Sequence, residues 1–257
     1  MGAKIIHQFI CRSDNFAVLI HDPKTGLTAA IDAPDGSAIE AELKRLGWRL
    51  SHLLITHHHE DHIAGVEALR ARFGCEVWGH AADRHRLPKL ERELRDGEVF
   101  SVLGEEVHVI ATPGHTSGQI AYHFPGLAAL FAADCLFSLG CGRIFEGTAR
   151  QMWAALDRLR KLPGNTALYC GHEYTEANAR FALSVEPGNE VLQKRVLEVA
   201  ALRARGEFTL PSAMADECAT NPFLRTESPE IRAHFGLADA GNEEVFAALR
   251  QAKDHFR

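Results

Sequence analysis

The chain has little of what marks a secreted, membrane-spanning or nucleic-acid-binding protein. Its six cysteines (Cys11, Cys75, Cys135, Cys141, Cys170 and Cys218) include no CxxC pair, which points to reduced, mostly buried thiols and away from a disulfide framework or a thiolate zinc site. Acidic residues outnumber basic ones by 34 to 28, for a net charge of −6. No broad cationic surface for nucleic acid or anionic lipid follows from such a balance. Apolar runs such as that from Leu127 to Ala133 fall far short of the roughly 20 residues that a membrane-spanning helix needs. The segment from Met1 to His7 has no apolar h-region and no small-residue cleavage site, so a cytoplasmic address is the expectation. With 257 residues, 46% of them hydrophobic, the chain has enough material for one large domain or two ordinary ones.

Histidine is what the sequence has in excess. There are 15, and four of them fall in the heptad Thr56-His57-His58-His59-Glu60-Asp61-His62, directly after the apolar run Leu53-Leu54-Ile55. In extended or loop backbone His57, His59 and Asp61 share a side, and His62 follows as the next helix begins. Burying so many ionisable groups without a metal would leave them poorly satisfied, so these four are read as metal ligands. His58 and Glu60 alternate out of phase with them and are expected to meet solvent or to support the ligands.

Apolar, β-branched segments over 5–10, 16–20, 27–31, 53–56, 76–78, 107–111, 120–124, 128–133 and 167–170 read as strands. Helical patterning covers 36–46, 63–73 and 148–162, the last stopped by Pro163-Gly164. After about Tyr174 the strand signal stops, and 177–185, 190–205 and 243–253 carry the helical period. The expected organisation is therefore a layered α/β part over 1–174 followed by a helical part over 175–257.

Three further candidates follow strands: His115 in Thr112-Pro113-Gly114-His115-Thr116, Asp134 after Leu130-Phe131-Ala132-Ala133, and His172 after Leu168-Tyr169-Cys170-Gly171. Side chains at the strand ends of one sheet converge on a common rim. Imidazole and carboxylate without thiolate suit zinc, iron or manganese. Two such ions about 3.5–4 Å apart share a carboxylate and a water, lower the water's pKa and make hydrolysis the natural reaction class.

The heptad resembles the THxHxDH signature of the metallo-β-lactamase superfamily, and the order heptad, Pro-Gly-His-Thr, strand-Asp, Gly-His resembles its two-metal hydrolases. That resemblance implies an α+β fold, an αββα sandwich with the site at one edge and a C-terminal all-helical part. It places His57, His59 and His115 on one metal, Asp61, His62 and His172 on the other, and Asp134 between them. Asp32, after the strand that ends at Ile31, matches a position that supports a ligand histidine. Within the superfamily the chain is most similar to the hydroxyacylglutathione hydrolases. The segments that carry this are Asp14-Asn15-Phe16, the run Gly140-Cys141-Gly142-Arg143-Ile144-Phe145-Glu146-Gly147-Thr148, Cys170-Gly171-His172-Glu173-Tyr174-Thr175, Asn221-Pro222-Phe223-Leu224-Arg225 and Arg250-Gln251-Ala252-Lys253-Asp254.

By that similarity Arg143, Tyr174, Arg250 and Lys253 bind a glutathione thioester, with Arg250 and Lys253 at i, i+3 on one helix face. Arg143 stands where the family commonly has lysine, keeping the charge but changing the donor geometry, and Phe145 where it often has tyrosine. The implied reaction is hydrolysis of S-D-lactoylglutathione to D-lactate and glutathione by a metal-bridged hydroxide, with Asp61 and Asp134 as its catalytic carboxylates. A thiolate departs without a strong general acid. Two divalent ions, zinc first with iron or manganese as alternatives, a small-molecule substrate and a monomeric state complete the expectation. The competing readings are another thioesterase or lactonase of the same fold, a glutathione persulfide dioxygenase, and a zinc-stabilised binding module. The terminal Arg/Lys pair, both metal half-sites and the lack of cysteine ligands stand against them in turn.

Overall fold

The computed structural model describes residues 3–256. These form two compact units, one of residues 3–111 with 118–131 and one of residues 112–117 with 132–256.

The first unit begins with strands β1 (Ile5–Ile10), β2 (Phe16–Asp22) and β3 (Leu27–Ile31), followed by helix α1 (Gly36–Leu46) and β4 (Arg49–Leu54). Helices α2 (Glu60–Ile63) and α3 (Val66–Phe73), then β5 (Glu76–His80) and β6 (Arg92–Leu94), complete a six-stranded sheet in the order of the chain. The first three strands pair antiparallel and the rest parallel. Parallel neighbours require a crossover, which α1 supplies after β3 and α2 with α3 after β4. The Asp35 carboxylate caps α1 by accepting from the backbone N–H groups of Ser37 and Ala38 at 2.9 and 3.0 Å, and Gly47 at φ +70° ends it. Ile39 and Leu43 of α1 and Val66 and Leu69 of α3 pack with Leu19, Leu53 and Val77 in one buried cluster.

Four strands, β7 (Val99–Val102), β8 (Glu105–Ala111), β9 (Ile120–Phe124) and β10 (Ala129–Ala133), run as an antiparallel meander, all within the first unit but for the last two residues of β10. They meet the first sheet through the Tyr122 hydroxyl, which donates to the Ile55 carbonyl at 2.8 Å, and through edge-on contact of Trp78 with Phe100.

In the second unit β11 (Leu136–Phe137) and β12 (Gly140–Cys141) form a short hairpin before α4 (Ala149–Leu159), which starts on a Thr148/Gln151 capping box. Strand β13 (Ala167–Cys170), helices α5 (Thr175–Val185) and α6 (Glu190–Ala204), strand β14 (Ser212–Ala213) and helices α7 (Met214–Thr220), α8 (Pro229–Phe235) and α9 (Asn242–His255) follow. The helical segments hold the hairpin tip by side chains. Glu217 accepts from Ser138 Oγ and Leu139 N, Asn221 donates to the Phe137 and Gly140 carbonyls, and Asn178 donates to that of Ser138.

Three expectations are corrected. The helix expected over 63–73 is two, because the backbone of Ala33 intervenes: Ala33 N–H donates to the His62 carbonyl, and Gly65 N–H donates to that of Ala33, each at 2.8 Å. A Cβ on Gly65 would also stand 2.8 Å from Gly36 Cα, so only glycine permits the approach. Because α2 begins at Glu60, Asp61 lies on a helical turn and does not extend the alternation of His57 and His59. Past Tyr174 the chain is not all helical either, since β14 pairs antiparallel with β13.

Candidate metal centre

The parallel strands β3, β4 and β5 end on one rim, as parallel register requires. At that rim Asp32, at φ +58°, takes the left-handed conformation that aspartate tolerates at a cost of about 1 kcal/mol. The turn aims its buried carboxylate back at the chain leaving β4. It accepts from Thr56 N and Thr56 Oγ1, each at 2.7 Å, and from His62 Nδ1 at 2.8 Å.

These contacts decide which ring nitrogens carry lone pairs. A carboxylate only accepts, so His62 Nδ1 carries the proton and Nε2 the lone pair. The Thr56 hydroxyl spends its hydrogen on Asp32 and therefore accepts from His57 Nδ1, 3.0 Å away, which makes Nε2 the lone-pair nitrogen of His57 as well. The His57 ring lies 4.1 Å from that of His62 and 4.8 Å from that of His59, centroid to centroid. Asn15 Nδ2 holds Asp61 by its carbonyl at 3.1 Å and its Oδ2 at 2.9 Å. One carboxylate, directly and through Thr56, and one amide thus orient three of the four ligand candidates of the heptad, His57, His62 and Asp61, and Asp32, His57 and His62 present donor atoms all within 4.8 Å of one another.

The second unit assembles its own three. Asp134 Oδ2 stands 3.4 Å from His115 Nε2 and 3.3 Å from His172 Nε2, with all three side chains buried. His115 Nδ1 donates to the Arg143 carbonyl at 2.9 Å, so its Nε2 also carries the lone pair. No side chain fits at Gly142, whose Cβ position is occupied by the Asp134 carbonyl. Tyr174 stacks flat on His172 with centroids 4.7 Å apart, and Phe145, 61% exposed, tilts against His115. Burial pushes the Cys141 thiol up to about 11 and raises those of Cys135 and Cys170 too. None is a ready thiolate at neutral pH, in keeping with small core residues.

The same unit gathers the cationic candidates. Arg250, 5% exposed, donates Nη1 to the Cys141 and Gly142 carbonyls at 2.8 and 3.3 Å and Nη2 to Asp254 at 2.9 Å, and its guanidinium lies over the Phe223 ring. Lys253 donates to the Ala177 carbonyl at 3.2 Å and lies over the rings of Phe181 and Phe256. Its pKa is lowered to about 8, first by burial and then by the cations Arg250, Arg180 and Arg143. Arg143 itself is largely exposed and reaches Asp254 at 4.0 Å.

The donor set fits divalent metal ions: histidines with one nitrogen pinned by an oxygen acceptor are oriented as metal-bound histidines are. A family description, metallo-β-lactamase superfamily, matches residues 12–172, and a second, hydroxyacylglutathione hydrolase C-terminus, matches residues 173–256. A hydroxyacylglutathione hydrolase of Brucella anthropi is 54% identical over 98% of this chain and 96% of its own. The chain belongs to the hydroxyacylglutathione hydrolase family. That of Brucella ovis is 53% identical over 98% of each chain. Solved structures agree on the metallo-β-lactamase fold: the BLEG-1 B3 metallo-β-lactamase has a TM-score of 0.67 at 21% identity, covering 86% of this chain and 100% of its own. ETHE1 from Myxococcus xanthus has a TM-score of 0.65 at 25% identity, covering 96% and 97%. This hydroxyacylglutathione hydrolase family member is a hydrolase with His/Asp groups able to hold divalent metal ions, as its sequence led one to expect. Sequence reasoning did not find the task of Asn15 or of the Arg143 carbonyl. Backbone acceptors leave no mark in a residue pattern.

Proposed function

We propose that the protein hydrolyses S-D-lactoylglutathione to D-lactate and glutathione. What carries the reading is a family relationship that runs nearly end to end, through the ligand-bearing segments and through the C-terminal helix with Arg250 and Lys253. His57, His59 and His115 are proposed to hold one divalent ion and Asp61, His62 and His172 a second, with Asp134 serving both. Zinc is the first choice of metal by ligand type, with iron or manganese as alternatives.

When bound, such ions supply a water of lowered pKa and positive charge for the oxyanion that develops on the thioester carbonyl. The chain's own residues do the rest. Asp32 and Thr56 lock the tautomers of His57 and His62, and the Arg143 carbonyl locks that of His115. Asn15 fixes Asp61. Arg143, Arg250 and Lys253 provide cations for the carboxylates of glutathione, Tyr174 flanks His172 and offers its hydroxyl, and the thiolate leaves without a dedicated acid. In this reading residues 1–174 serve the chemistry and 175–257 recognition, and the protein works as a cytoplasmic monomer on a small molecule.

The test is thioester hydrolysis of S-D-lactoylglutathione by metal-replete protein beside Asp134→Ala. Turnover in wild type and its loss by about 10³-fold in the variant, some 4 kcal/mol of transition-state stabilisation, is the expected result. An inactive wild type that carries its metal overturns the proposal. Metal analysis belongs with the assay, because active protein with fewer than two bound ions overturns the two-metal assignment.

A further inference from the structure

Within the heptad His58 lies between two proposed ligands and has no part in the chemistry above. Its environment is nevertheless specific. Past β5 the chain turns through 81–83, and Asp83, 1% exposed, places its carboxylate on the rim where β4 delivers the heptad. Asp83 Oδ1 accepts from Arg86 Nη2 at 2.5 Å and from Nε at 3.1 Å, while Oδ2 faces His58 Nδ1 at 3.3 Å. The other nitrogen of His58, Nε2, stands 3.3 Å from Arg86 Nη1. His58, Asp83 and Arg86 therefore close a ring in which each touches the other two.

The ring fixes one state of the imidazole. A guanidinium only donates, so His58 Nε2 accepts, and the proton sits on Nδ1, toward Asp83. The carboxylate is itself wedged. Gly118 lies so close that a Cβ there would overlap the Asp83 carboxyl group, and the Gly118 carbonyl is held by His80 Nδ1 at 2.8 Å. The ring is thus anchored to β5 on one side and to the start of β9 on the other.

We propose that Asp83 and Arg86 are positioning residues for the metal-binding loop: by gripping His58 in a single tautomer they set the backbone from which His57 and His59 project. This rests on the ligand roles proposed above for His57 and His59. Asp83 acts through a neighbouring peptide, in contrast to Asp32, which reaches His62 directly.

The test uses Asp83→Asn and Arg86→Met in the full chain. An amide has one acceptor oxygen, so Asn at 83 satisfies Arg86 or His58 but not both. Met at 86 keeps the stem, removes the donors and sits at a partly exposed site, so it carries the test if Asp83→Asn does not fold. Divalent-ion affinity is read by competition with a chelator, using zinc as the probe, and the metal-free protein is followed by thermal melting and by the ¹⁵N resonances of His58. The expected result is an Nδ1–H signature for His58 in wild type, a mixture of tautomers in both variants, each of which keeps only one of the two contacts, and zinc affinity down by about 10- to 100-fold with the metal-free melting temperature little changed. Unchanged zinc affinity in both variants overturns the proposal, as does an Nε2–H signature in wild type. If wild type takes up no divalent ion, the ligand assignment has failed, while the ¹⁵N signal still decides the His58 geometry.

Discussion

The heptad rim and the C-terminal cationic cluster solve opposite electrostatic problems. On the rim, acidic side chains organise the histidines: Asp32 serves Thr56 and His62, and Asp83 faces His58. Around α9, cations gather with little carboxylate to answer them. Arg250 turns to backbone carbonyls and aromatic rings, Asp254 is half-exposed, and Lys253 is left with its pKa lowered to about 8. A rim whose ligands are oriented by fixed partners keeps a set shape for ions. A cluster with unbalanced positive charge is poised for an anion that arrives from solution.

The largest expected effect tests the rim. Asp32→Ala leaves His62 Nδ1 and the Thr56 backbone N–H buried without their acceptor and is expected to cost about 3–5 kcal/mol of stability, together with metal retention. Denaturant unfolding of the metal-free variant measures the first, and a loss below 1 kcal/mol would make the rim far less dependent on one carboxylate than the geometry says.

The cluster should respond unevenly. Arg250→Met removes the donor to the Cys141 and Gly142 carbonyls, so it is expected to lower stability by about 1–3 kcal/mol as well as raise KM. Lys253→Met should raise KM about tenfold, equivalent to 1.4 kcal/mol of binding, with kcat and stability nearly unchanged. Equal stability losses in the two variants would erase the distinction between them.

The same lysine gives the cluster a pH signature. With its pKa in the folded protein lowered from 10.5 to about 8, Lys253 is charged below pH 8 and neutral above it. KM for the anionic substrate is therefore expected to climb between pH 7 and 9, and Lys253→Met should lack that step. For folding the sign is opposite. Between pH 8 and 10.5 the unfolded chain holds the proton that the folded one has lost, so this group's contribution to stability rises with pH across that window. A pH-independent KM in wild type would remove Lys253 from anion binding.

The smallest expected effect is at Phe145, exposed beside His115. Phe145→Tyr restores the hydroxyl common in the family and is expected to lower KM about two- to fivefold, the gain of roughly one hydrogen bond. A rise in KM would mean that the bare ring is preferred at this position.

Legibility followed locality. The heptad was readable because its ligands are contiguous, and β1, β3 and β9 were readable to the residue because their apolar patterning is strong. The two-residue strands β11, β12 and β14 carry too few residues for a period to register, and the β11–β12 hairpin forms where side chains distant in the chain, Asn178, Glu217 and Asn221, hold its carbonyls and amides. The split between α2 and α3 was hidden for the same reason, as Ala33 takes hydrogen bonds that a continuous helix would have kept.

The residue types and spacing alone determined the chemistry: imidazoles and carboxylates in a tight run choose metal hydrolysis, and the segments matching one family choose the thioester. What only the tertiary structure decided is which proton sits on which nitrogen. His62 is set by Asp32, His57 by Thr56, and His115 by the carbonyl of Arg143, 28 residues away. A tautomer is fixed by the acceptor it faces, and that acceptor arrives by folding, from strands whose order along the chain says nothing of whose oxygen will meet which ring.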